Sequence, residues 1–116
     1  NNDKKDVKCR IKALLAENKI FWDKYGPSSK LAVKNPMSDS VILWEKCKEE
    51  TIIPNNKKII EIFQNNQSLF DDNEIRIFEL FRVHAFSFEN NQITRQDNEA
   101  VTRFPVEFEK MIYEED

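Results

Sequence analysis

The residues best placed to do chemistry are few, and they crowd into one segment. His84 is the only histidine in the chain, and it falls between Phe81 and Phe88 at helical spacing. An imidazole there is a natural general base near neutral pH. Arg76 and Arg82 share its segment, and Arg95 and Arg103 follow, so a histidine–arginine pair is one catalytic arrangement within reach. The opposing consideration is physical. A histidine on an apolar stripe is hindered from charging, and no nucleophile adjoins it. The adopted reading is a core histidine with one hydrogen bond to a neighbour, with His84, Arg76 and Arg82 held as the catalytic alternative.

Other chemistries lack material. Cys9 and Cys47 are far apart and carry no local signature of a nucleophile, a redox pair or a zinc site. One glycine in the whole chain rules out a glycine-rich phosphate loop, and no acidic stretch resembles a calcium hand. No metal and no cofactor are expected. Two widely spaced cysteines suit buried free thiols in a reducing compartment, so a cytoplasmic location is expected.

These groups must be held by helices. Val7, Ile11, Leu14, Leu15, Phe21, Trp22 and Tyr25 recur at the helical period and predict a first helix over 7–25. Gly26-Pro27 stops it, with the glycine expected in a left-handed cap. Residues 27–37 read as a loop. A second helix follows from Ser38 or Asp39 to Glu50, with Leu43, Trp44 and Cys47 on its inner side. Pro54 in a first helical turn predicts a separate third helix, carrying Ile59, Ile62, Phe63, Leu69 and Phe70 on one face. Asp71 and Glu74 have the spacing of a capping box and open a fourth helix to Glu89. Residues 90–98 form a polar loop, and Pro105 starts a last helix to Tyr113, anchored by Phe108 and Ile112. No stretch alternates as a strand does. The expected fold is an all-α, compact bundle of four to five helices in a single domain over residues 1–116. The start at Asn1-Asn2 without Met suggests a piece excised from something longer.

The fourth helix is apolar on most sides. Ile77, Leu80, Phe81, Ala85 and Phe88 make its main stripe, and Ile75, Val83 and Phe86 lie around the other side. These three are the first candidate binding group. Val41 and Ile42, which fall off the inner face of the second helix, join Trp44 as a second, and the Tyr25-Gly26-Pro27 corner is a third. Asn18 and Asn66 sit among apolar neighbours, and with His84 they form a candidate polar core in which at least one contact crosses between helices and fixes their register. For Asn66 the competing reading is a cap on its own helix end.

Helical-bundle ribonucleases of the HEPN type carry an arginine followed four to six residues later by a histidine on one helix. Here seven residues separate Arg76 from His84, and only Val83 separates Arg82 from it, so neither pair reproduces that motif. The chain resembles small bacterial helical domains in general, and no active site is carried over. The formal charge of -3, from 18 basic and 21 acidic residues with the signs interspersed, offers no basic stripe for phosphates. Nucleic acid is therefore not the expected partner, and no run of about 20 apolar residues points to a membrane. The expected function is a non-catalytic protein-interaction or regulatory module, binding a protein partner or itself as a homodimer through the fourth helix. The alternative is a bundle-type ribonuclease using His84 and a nearby arginine.

Overall fold

The length of the first helix and its sharp end organise everything packed on it. The computed structural model describes residues 3–34, 38–90 and 104–115. Helix α1 runs Lys4–Tyr25, opened by Asp3, whose carboxylate accepts from the Asp6 N–H at 2.8 Å. A side-chain oxygen at that position satisfies one of the donors that a helix start leaves without a partner. The chain then turns into a one-turn helix α2, Lys30–Lys34, where a loop was expected across 27–37. The Ser29 hydroxyl accepts from the Ala32 N–H at 3.1 Å and starts this turn, a capping role that any loop serine can play.

Helix α3, Ser38–Cys47, does not end before Pro54. One wide π turn, Lys48–Ile52, carries it directly into helix α4, Ile53–Asn65. The Ile53 N–H reaches back to the Lys48 carbonyl, closing a π-type ring. A proline lacks an N–H, and its ring collides with the carbonyl four residues earlier in a regular helix. The widened turn relieves that collision, so the predicted break between the second and third helices is instead a local change of pitch.

A 3-10 turn, Gln67–Leu69, leads to helix α5, Asp72–Glu89. Its capping box is complete: the Asp71 carboxylate accepts from the Glu74 N–H at 2.8 Å, and Glu74 accepts from the Asp71 N–H at 2.9 Å. Lys4 ties this cap to α1 through a 2.9 Å ion pair with Glu74. The last helix, α6, is Val106–Tyr113. Of the expected loop over 90–98, residues 91–98 lie outside the described residues. Among the described residues there is no strand, and no helix is long and apolar enough to cross a membrane.

The fold is an all-α bundle whose core is built by α1, α4, α5 and α6. Val7, Ile11, Leu15, Ile59, Phe63, Phe70, Phe78, Phe81, Ala85, Phe108, Met111 and Ile112 form it. Phenylalanines give the core its shape. Phe63 stacks on Phe70 at 4.3 Å and on Phe78 at 4.1 Å, while Phe81 stacks on Phe108 at 4.6 Å. Such offset stacking adds to the gain from burying the rings. Helices α1 and α6 meet along their polar edges: the Lys8 ammonium donates to the Glu114 carbonyl at 3.3 Å, and Lys12 lies 5.1 Å from the Tyr113 ring centre.

Candidate functional site

Helices α4 and α5 pack against each other but do not close the furrow between them. Ile53, Asn56, Lys57, Ile60 and Gln64 rise on one side, at i, i+3, i+4, i+7 and i+11 and so on one face. Glu79, Arg82, Val83, Phe86 and Glu89 rise on the other, at i, i+3, i+4, i+7 and i+10. The groove encloses about 420 Å³. Two of its wall residues are large, apolar and bare: Val83 is 55% exposed and Phe86 is 70% exposed. Its charges are paired, with Lys57 at 2.9 Å from Glu89 and Arg82 at 3.4 Å from Glu79.

Asn56 lies at the bottom of this groove and is almost fully buried. It ends a chain of amides linking α1 to α4. Asn55 donates to Glu17 at 2.7 Å and to Asn18 at 3.0 Å, and Asn18 donates to Asn56 at 3.0 Å. Asn18 therefore contacts across helices, with Asn55 and Asn56 as its partners. Asn66 instead donates to the Ile62 carbonyl at 2.8 Å, an arrangement that caps the end of its own helix. Sequence reasoning passed over Asn55 and Asn56. They stand four and three residues before Ile59, so extending that apolar face by one turn would have found them.

The histidine lies elsewhere. His84 is half-buried, with ring centres of Phe104 at 5.4 Å, Phe81 at 6.0 Å and Phe88 at 6.1 Å. Arg82 stands roughly 200° around the helix from it and pairs with Glu79, while Arg76 donates to Asn73 at 2.9 Å. Arg95 and Arg103 lie outside the described residues. Ile75 was expected beside Val83 and Phe86, but it is half-buried against the core. The first turn of α5 follows directly on the buried Phe70, so this side of the helix is covered at its start and bare only further along. Leu80, expected on the inner stripe, is 40% exposed, and the fully buried Phe78 takes the central place.

The two other candidate groups meet at the far end of α1. Tyr25, Pro27, Val41 and Trp44 line one cleft of about 180 Å³, together with Ala32, Ser40 and Glu45. Trp44 packs edge-on against Trp22 at 5.2 Å and against Phe88 at 6.0 Å. Val41 and Ile42 are exposed, and so is Leu43, which was expected inside. The buried Ser40 takes the inward position one turn before Trp44. Gly26 does not adopt the left-handed cap: its φ is -66° and its ψ is 170°. Its glycine identity is explained by closeness, because a Cβ there would sit 2.5 Å from the Trp22 carbonyl oxygen.

Both cysteines are free thiols, but Cys9 is exposed rather than buried. It falls on the outer side of α1, two positions from the buried Val7 and Ile11. Cys47 is buried beside the Phe21 carbonyl at 3.9 Å, and burial raises its pKa above the ordinary thiol value. It therefore behaves as a small apolar residue that keeps its proton. Among the described residues no three metal-ligating side chains converge.

No protein-family model matches the chain, and neither a curated protein nor a solved structure matches it significantly.

Proposed function

We propose that this chain is a non-catalytic protein-interaction module whose docking surface is the groove between α4 and α5. One observation carries the reading: Val83 and Phe86 stand exposed, side by side, on the wall of a preformed groove. Single exposed apolar residues are ordinary, but adjacent ones at the edge of a concave surface are where association gains most. Covering one such phenylalanine contributes about 1.5–3 kcal/mol. The groove has the form that accepts a helix, with Val83 and Phe86 on one wall, the Asn56 amide at its floor and charges of both signs along it. The ribonuclease reading finds less support, since His84 is packed among three phenylalanines while Arg76 and Arg82 engage neighbours on their own helix.

The test is a photo-reactive residue placed at position 86 in the intact protein in its host, with position 61 on the outer side of α4 as the control. The expected result is a crosslinked protein from position 86 alone. Once that protein is identified and purified, Phe86→Ser should weaken its binding by about tenfold or more. No product from position 86, or an equal product from position 61, would refute the groove as a docking surface.

A further inference from the structure

We propose that the occupant of this groove is a second copy of the chain, paired antiparallel along α5 about a two-fold axis; the inference rests on the groove reading above. A two-fold contact requires a surface complementary to itself, and the exposed face of α5 has that property. Arg82 and Glu89 are seven residues apart, which places them roughly 10 Å apart along the helix and within about 20° of the same edge. Rotation about an axis midway between them brings Arg82 of each copy toward Glu89 of the other, so the ion pair forms twice. The same operation brings Phe86 of each copy to the axis, roughly 1.5 Å out of step with its counterpart along the helix, with the Val83 side chains flanking the pair. The apolar centre and the charged edge therefore match in one register.

Charge supports the pairing in a second way. The four charged residues of the groove are Lys57, Glu79, Arg82 and Glu89, two of each sign, so two copies meet without net repulsion. Lys57 already holds Glu89 at 2.9 Å on the groove edge, which limits the ordering needed when a second cation arrives. A contact made along a single helix is small, and such interfaces are weak and reversible. The association is therefore concentration-dependent rather than permanent.

The experiment is sedimentation of the full chain from about micromolar to about millimolar concentrations, with circular dichroism on each variant to confirm that it is folded. A monomer–dimer equilibrium is expected, and Arg82→Glu and Glu89→Arg should each weaken it about tenfold. The double variant R82E/E89R should recover most of that loss. Double reversal does not repair the contacts of these residues with Glu79 and Lys57 in their own chain, so recovery reads only pairing between copies. A chain that stays monomeric, a dimer indifferent to the single reversals, or a double variant no better than the singles would overturn the proposal. The position-86 crosslink separates the two ideas. A product with a different protein removes the second copy and keeps the docking groove, whereas no product at all removes both.

Discussion

Asn18 occupies a place where leucine would fit the apolar stripe of α1, and its amide is used at both ends. It accepts from Asn55 and donates to Asn56, so removing it strips partners from two nearly buried side chains at once. A buried polar group left without its partner costs about 1–3 kcal/mol. Asn18→Ala is expected to lower stability by that amount in urea unfolding. An unchanged midpoint would mean that water replaces the lost contacts and that the amide chain does not hold α1 against α4. Asn56, the last member of this chain, also lines the groove. A stability measurement on Asn18 thus also reports on how firmly the groove floor is held.

At the scale of elements, the end of α1 is fixed by an absence of atoms. The Gly26 N–H donates to the Trp22 carbonyl at 2.8 Å, and the same oxygen occupies the space that a side chain would need. Because the obstacle is backbone, it cannot swing aside as a flexible side chain would. Gly26→Ala is expected to destabilise the fold by about 1–3 kcal/mol and to shift tryptophan fluorescence, since Trp22 lies on Trp44. Wild-type fluorescence and stability in that variant would show that the helix end relaxes freely. The stop after Tyr25 was legible in the sequence, as were the capping box at Asp71 and the faces of α1 and α4, except that Trp22, expected on the inner stripe, is 41% exposed. The conformation of Gly26 was not, because Gly-Pro marks an ending without saying how it is made. Pro54 misled for a related reason. Its needs are met equally by a chain break and by a π turn, and only packing between α3 and α1 decides which. In the groove, Val83 and Phe86 were legible because they fall off the apolar stripe. Ile75 shares their helix side but not their surroundings, and Asn56 reaches the groove through a helix pairing that periodicity does not reveal.

Across the whole molecule the apolar core is uneven. It draws on α1, α4, α5 and α6, and on neither α2 nor α3. The α2–α3 end is held instead by the ring contacts of Trp44 with Trp22 and Phe88 and by the sulfur of Cys47. Opening free energies follow such differences in burial. Hydrogen exchange is expected to show the amides of α3 opening at least about tenfold more readily than those of α4 and α5, with the change falling at the π turn. Uniform protection along residues 38–65 would show that the continuous helix behaves as one unit. This gradient was beyond sequence reading, because Leu43 and Trp44 resemble core residues until their neighbours are known.

The contact between the first and last helices also has a meaning in time. Lys8 reaches the carbonyl of Glu114, a residue 106 positions later. A ribosome adds about 5–20 residues each second, so α1 emerges roughly 5–20 s before its α6 neighbour does. Through that interval Val7 and Ile11 have no C-terminal helix to cover them, and α1 waits in the cell as an exposed amphipathic strip. A nascent chain of this design is a natural client for whatever shields apolar segments at the tunnel exit.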